Sequence, residues 1–440
     1  MPAASVRARR AVATSMRGAA FRDHVLASLW FIPLCFVIAA IVLSRSSVVL
    51  DHTLQLDREP GLTLPSDAAT MTVVASTIAA AMLTFLGVVF TTTLVAVQLA
   101  SSQYSPRIVR LFVRSRLTQF TLGTFLATFV FALNALLAVR QDREEIPVIT
   151  FAITFVFVLG TLVMFVAFLH GMVRLLRVQH LVRLTADANL AVVEHAFPAS
   201  DTYVDAPAPA SESATRAVGL GSDPGFRHPP HVLQAVDVAG LADLAARHDA
   251  WIELCVPVGG SVLSTGTVAR VHAPDPAAVP DDAVRDRLLL GHERSTLQDP
   301  GFGFRQLVDV ASRALSPAVN DPTTAVQALH RITDLLVRIA DRPDPTGWYT
   351  DDAGAARVHI PEPGFERLAR LGLTELVVYG ATAPLVTRAL AAAYDALEAA
   401  ASPEHRAVVH RMRTEFERSV DVTIAVPDGF ATTADVLGLG

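Results

Sequence analysis

The sequence predicts an α-helical polytopic membrane protein. Four transmembrane helices precede a cytoplasmic α+β domain, which holds a small β-hairpin or barrel-like unit and then a helical unit. Three observations predict this class. Of 440 residues, 52% are hydrophobic and only 18% charged, against roughly 25% charged in soluble domains, and mean hydropathy is +0.42. The apolar residues gather in four runs near the N-terminus, together with 15 of the 22 Phe. The net charge of −6 also divides unevenly. Sixteen Arg against eight Asp and Glu give +8 through Arg183, leaving 20 basic and 34 acidic residues, or −14, for the rest. This composition weighs against a fully soluble enzyme.

The membrane domain is expected over residues 1–183, with spans at about 24–44, 71–100, 119–139 and 146–171. Each run reaches the ~20 residues that cross ~30 Å of hydrocarbon. The first run is too long for a signal-peptide core and no small-residue cleavage site follows it, so it is read as a retained helix. Arg7, Arg9, Arg10, Arg17 and Arg22 precede it, whereas the first loop carries Asp51, Asp57, Glu59 and Asp67. The following loops alternate between basic and neutral-to-acidic, and Arg174, Arg177 and Arg183 follow the fourth run. Arg on the inner side puts both termini and everything after Arg183 in the cytoplasm of a bacterial cell, with the plasma membrane as the location.

The second helix is the unusual one. No breaker appears between Met71 and Ser105-Pro106, and about 35 residues at ~1.5 Å each exceed the bilayer. Ser105 suits an N-cap and Pro106 the first position of a new helix. There Arg107, Arg110 and Arg114 share one face. They form either an interfacial helix on anionic headgroups or a basic collar at a pore mouth. Within the second helix Thr77, Thr84, Thr91 and Gln98 recur every seven residues, with Gly87 between Thr84 and Thr91. Such a stripe forms a helix–helix interface or a hydroxyl-lined path through an oligomer. Asn134 in the third run is read as inter-helix glue. No Asp or Glu lies in the middle of a run, which counts against a proton-coupled carrier but not against a channel.

After the membrane domain, residues 184–230 are expected as a linker, rich in Pro, Ala and Ser between Pro198 and Pro230. A β-rich unit over 231–272 reads strand, short helix, strand, Gly259-Gly260 turn, strand. The strand–GG–strand pattern looks like the hairpin of biotinyl and lipoyl carriers, but their modified lysine is missing, since the chain has no Lys. A helical unit over 285–425 follows. Leu307, Val310, Ala311 and Ala314 fit a helix ending near Ser316-Pro317. Asn320 or Asp321 then caps a second helix with Pro322 at its first position. Its buried stripe is expected at Val326, Leu329, Ile332, Thr333 and Leu336, and further helices over about 363–400 and 404–420.

Chemical candidates are few. Gly301-Phe302-Gly303 is a lone GxG without a preceding strand, and His292, Glu293 and Asp299 match no standard metal spacing. Cys35 and Cys255 are too few and too separated for a disulfide framework. The sequence therefore calls for no catalytic residue, cofactor or metal, and its acidic C-terminal part excludes a nucleic-acid footprint.

Three strings carry a family resemblance: LGVVFTTTLVAVQLASSQYSPRIVRLFVRSR, LGTFLATFVFAL and GHERSTLQDPGFGFRQLVDVASRALSPAVNDPTTAVQAL. Together they resemble a bacterial predicted-membrane-protein family, domain of unknown function twenty-two fifty-four, over almost the whole chain. The resemblance implies a four-helix membrane domain with a cytoplasmic tail and carries no activity with it. Asp299, Ser316, Pro317, Asn320, Asp321 and Pro322 are its motif positions, and CVPVGGSVLSTG is a looser version of its hairpin pattern. The expected function is a homo-oligomeric channel or transport-like protein of the lipid bilayer with a cytoplasmic regulatory domain. The alternative is a membrane-anchored scaffold or sensor whose cytoplasmic domain binds a protein partner or ligand of undefined identity.

Overall fold

The computed structural model describes residues 30–54, 68–103, 116–139, 147–175, 177–197, 214–220, 231–263 and 266–423. The chain divides into two units, one of residues 21–180 and one whose described part starts at Leu181.

The first unit is built of α1 (Phe31–Leu54), α2 (Ala68–Gln103), α3 (Arg116–Ala138) and α4 (Val148–Leu175). All four are long and apolar enough to cross a membrane. The central one is α3: 44% of its most apolar window is buried, against 17–22% for the others, and it packs on α1, α2 and α4. Close approach requires glycine here, because a Cβ on Gly123 would stand 2.9 Å from Phe36 Cγ of α1. Phe85, Phe125 and Phe165 tie α2, α3 and α4 by edge and tilted ring contacts. The outer surfaces of α1 and α4 are large and apolar, with Leu34, Ile38, Leu159 and Val163 exposed. Such a surface suits lipid.

One expectation changes in this unit and one holds. The first span does not end near residue 44. Helix α1 continues to Leu54 because Ser44, Ser47 and Asp51, spaced three and four apart, turn one polar face into the bundle and are buried there. Asp51 thus belongs to a helix, not to the first loop. The second helix matches its expected length: 36 unbroken residues extend about 54 Å at ~1.5 Å per residue.

The second unit begins within α5 (Val178–Ala196). Residues 184–230 were expected as a linker, yet 184–196 continue this helix, whose apolar face buries Leu181, Val182, Ala186 and Val193. Also inside that span, β1 (Ala214–Gly219) pairs antiparallel with β5 (Thr267–Ala273); 198–213 and 221–230 lie outside the described residues. The remaining strands are β2 (His231–Val236), β3 (Trp251–Leu254), β4 (Ser261–Val262), β6 (Leu288–Gly291), β7 (Trp348–Thr350) and β8 (Ala356–His359). They form a five-stranded sheet β1-β5-β3-β8-β7 and a three-stranded sheet β4-β2-β6. Helix α6 (Val238–Arg247) packs on β3, β7 and β8, and its Leu241, Leu244 and Ala245 share a core with Ile252, Val268, Val271 and Val358. A short α7 (Asp281–Arg285) precedes β6.

The strands expected on either side of Gly259-Gly260 do pair antiparallel, Trp251–Leu254 with Ala269–His272, but Gly259-Gly260 is not a tight turn between them, and the likeness to a carrier hairpin falls. On either side of Gly259-Gly260 the chain enters different sheets, since β3 pairs with β5 and β8 while β4 pairs with β2. The reason is local. Gly259 adopts φ +82°, donates its N–H to Leu233 O at 2.7 Å, and Gly260 O accepts from Leu233 N at 3.0 Å. The turn is therefore bonded across to β2 instead of folding back on β3.

The helices that follow are α8 (Pro300–Ala314), α9 (Pro322–Val337), α10 (Phe365–Gly380), α11 (Pro384–Ala400) and α12 (Pro403–Thr423). The single stretch expected over about 363–400 is two helices, because the chain turns at Ala381–Ala383 and restarts with Pro384 in the first turn. The buried stripe of α9 includes Leu329, Ile332 and Leu336 as expected, with Ala325, Ala328 and Leu335 in place of the half-buried Val326 and Thr333.

Candidate functional site

Helix α2 carries two heptad stripes. Ala75, Met82, Val89 and Ala96 are buried, and Ala75 packs in one core with Ala135 of α3 and Phe151 of α4. Thr77, Thr84, Thr91 and Gln98 are offset from them by two residues. At 3.6 residues per turn that is about 200° around the axis, and all four are exposed, as is Gly87. The stripe singled out in the sequence thus faces away from the chain's own bundle. Thr77 Oγ1 donates to Val73 O at 2.7 Å and Thr84 Oγ1 to Ala80 O at 3.0 Å. A Cβ placed on Gly87 would meet nothing within 4 Å. With exposed Ala80, the face reads Thr77, Ala80, Thr84, Gly87, Thr91, which is the small-residue spacing that lets two helix backbones approach closely. Val73 and Leu94, exposed in the same column as Ala80 and Gly87, bound this small-residue run on either side.

Two hydroxyls of the other helices meet inside the bundle. Thr128 of α3 and Thr161 of α4 share a hydrogen bond of 2.7 Å in a buried position. Asn134 does not glue helices: its Nδ2 donates to Val130 O of its own helix at 2.9 Å. The junction residues Ser105, Pro106, Arg107, Arg110 and Arg114 lie outside the described residues.

Sequence reasoning missed one site. The Asp51 carboxyl group accepts from Ile149 N (2.8 Å), Thr150 N (3.1 Å) and Thr150 Oγ1 (2.8 Å), and Ser47 Oγ lies 3.0 Å from Thr150 Oγ1. A residue of α1 therefore supplies the N-terminal cap of α4. First-turn amides have no partner within their own helix, and an acidic group at that end also suits the helix dipole. The signal was the Ser44, Ser47, Asp51 spacing, which fits one face of a helix.

The motif positions of the second unit build helix boundaries. Asp299 caps α8 by accepting from Phe302 N at 3.1 Å, and Arg294 grips the same carboxylate at 2.8 and 3.0 Å. Burial pushes the Asp299 carboxyl up, while Arg294 and the Phe302 and Gly301 amides pull against it. Gly259 is held to glycine by this contact, since a Cβ there would stand 1.9 Å from Asp299 Oδ2. The GG turn and the α8 cap are thus one assembly. Gly301-Phe302-Gly303 is the first turn of α8, where Gly303 makes room for the buried Asn189 of α5, 2.1 Å from where a Cβ would sit.

Ser316, Pro317 and Asn320 form the connector to α9. Ser316 Oγ donates to Arg313 O at 2.7 Å, Asn320 N donates to Ser316 O at 2.9 Å, and Asn320 adopts φ +46°, a region that short polar side chains tolerate. Asp321, and not Asn320, caps α9 by accepting from Thr324 N at 3.1 Å, with Pro322 in the first turn. These residues shape a turn. Among the described residues no group of three or more His, Cys, Asp or Glu is placed to hold a metal ion.

Residues 27–396 match the model of a family described as "Predicted membrane protein (DUF2254)". An uncharacterized protein of Mycobacterium bovis (Mb1321c) is 32% identical over 404 residues, covering 88% of this chain and 75% of that protein. An uncharacterized protein of Mycobacterium tuberculosis (Rv1290c) is similar to the same extent. No solved structure matches the chain.

Proposed function

The chain belongs to the DUF2254 family of predicted membrane proteins, and from that premise we propose that it works as a homo-oligomeric channel or transport-like protein. The contact between copies is the outward face of α2, and the Thr77, Thr84, Thr91 and Gln98 stripe borders the path. One observation carries the reading. The face with small-residue spacing and hydroxyls is the one that this chain's own helices leave exposed, whereas lipid-facing surface on α1 and α4 is large and apolar. Thr77 and Thr84 have satisfied their own donors on the helix backbone, so their oxygens can accept from water or solute. The distribution of Arg supports insertion in the bacterial plasma membrane with the second unit in the cytoplasm, where it regulates the path. On this reading the protein conducts or carries and is not an enzyme.

The test is reconstitution in liposomes with flux measured across a range of ions and voltages. Flux that falls in Thr84→Leu and Thr91→Leu is the expected result. Silence of the wild-type protein, with both variants equally silent, overturns the reading. A second reading, a membrane-anchored sensor or scaffold, is favoured by a separate observation: an apolar cavity inside the second unit.

A further inference from the structure

The cavity has a volume of about 270 Å³ and lies between the last turn of α5, the start of α6, and the segments around β7 and the end of β8. Leu297, 52% exposed, stands where the space opens to solvent. The volume exceeds the about 150 Å³ that admits benzene and approaches the about 300 Å³ at which small-molecule sites begin. Scaled from benzene, it takes about ten non-hydrogen atoms, a ring with a short chain.

The chemistry of the wall decides what can fill it. Apart from His195, Gln298, Tyr349 and Glu362, the described lining residues are Ala, Val, Leu and Ile. The four polar side chains are already engaged. Gln298 braces the end of β2: its Oε1 accepts from Val236 N at 2.8 Å and its Nε2 donates to Val236 O at 3.1 Å. The Tyr349 hydroxyl donates to Glu362, and His195, Tyr349 and Glu362 each hold further interactions. Water settles in a cavity where it finds about two to four polar partners, and an ion that enters gives up its hydration and needs a counter-charge in return. A wall whose polar groups are engaged supplies neither. It favours a molecule without charge, whose gain is the apolar surface it removes from water.

We propose that this cavity binds a small, uncharged, mainly apolar molecule, packed among Val192, Val238, Val258 and Ile360. The site gives the sensor reading its chemical class and rests on that reading. Helix α5 follows α4 directly in the chain, so a ligand that joins the last turn of α5 to α6 and the strands bears on the segment next after the fourth membrane helix. Flux through α2 is a separate question.

The experiment titrates 2-phenylethanol into the full-length protein in lipid nanodiscs by calorimetry, with the heat of protein-free nanodiscs subtracted to remove uptake by the bilayer. Phenethylamine and 3-phenylpropionate present the same ring with a positive and a negative charge. Saturable binding of the alcohol is expected, about tenfold or more tighter than of either ion. Ala239→Leu, and independently Val192→Phe, fill the space and weaken binding about tenfold. Their thermal unfolding midpoints show that they have folded. Absence of saturable binding at millimolar alcohol, preference for either ion, or undiminished binding in a folded, filled variant overturns the proposal. Hydrogen exchange at residues 191–196 is read in the same samples. Saturable binding that leaves it unchanged sustains the site and removes the sensor reading, whereas slowed exchange sustains both.

Discussion

Replacing Asp51 by Ala removes the cap that α1 lends to α4. The two backbone amides that it satisfies, Ile149 N and Thr150 N, lie at 2.8 and 3.1 Å from its oxygens and have no carbonyl to turn to in the first turn. A buried donor left without a partner costs about 1–3 kcal/mol, so two such donors set a range of about 2–6 kcal/mol. The loss at Thr150 Oγ1 is partial, because Ser47 Oγ stands 3.0 Å away and can take over. Relief of the burial cost of the carboxyl group offsets part of the rest, which leaves an expected loss of about 2–4 kcal/mol. Asp51→Asn keeps one acceptor oxygen and is expected to lose about 1 kcal/mol, and Thr150→Val a similar amount. The assay is unfolding of the full-length protein in mild detergent, followed by circular dichroism. Asp51→Ala within about 0.5 kcal/mol of wild type, the usual range of surface changes, would refute the reasoning. So would an Asn variant as damaged as the Ala variant.

Three further outcomes follow from the same geometry. His405 is buried, with Nδ1 2.9 Å from Ala340 O and Nε2 3.3 Å from Asp344. Burial lowers its pKa, but the bonds to Asp344 and Ala340 O prevail and hold it above 6.5. The protonated ring therefore contributes stability in full below about pH 6.5, and this is lost as pH rises through the raised folded value. The stability gap between wild type and His405→Gln, measured by urea unfolding, should narrow over that rise. Asp321→Ala removes the cap of α9, with an expected loss of about 1 kcal/mol in the same measurement, whereas Asn320→Gly at φ +46° should cost less than about 0.5 kcal/mol. Gly123→Ala pushes a Cβ to 2.9 Å from Phe36 Cγ; overpacking of this kind costs about 1–3 kcal/mol, readable as a lower midpoint in detergent.

The membrane helices were largely legible in the sequence, because each is a continuous apolar run and lipid imposes a length on it. The boundary of α1 was not. Ser44, Ser47 and Asp51 lower the local hydropathy and resemble a loop, and only the partner amides on α4 explain a carboxyl group among them. The outward stripe of α2 was legible as a period of seven, but its direction was not, since a period does not say which side meets the bundle. In the second unit the cap at Asp321 was readable because capping is local. The sheets were not. Pairing of β3 with β8 joins Ile252 to Val358 across about a hundred residues, and strands as short as β7 and β8, with three and four residues, leave almost no pattern to read. The GG turn misled for a related reason: Leu233, its bonding partner, precedes it by more than twenty residues.

The claim at the centre of this account is that the outward face of α2 meets a second copy of the chain. Its most direct test is the mass of the protein in lipid nanodiscs, for wild type and for Gly87→Leu, which fills a position where a Cβ meets nothing within 4 Å in the single chain. The account predicts a multiple of 47.0 kDa for wild type and a shift toward the single chain in Gly87→Leu, with Leu159→Ala on the lipid face of α4 unchanged. A wild-type protein of 47.0 kDa, or an oligomer indifferent to Gly87→Leu, would contradict it.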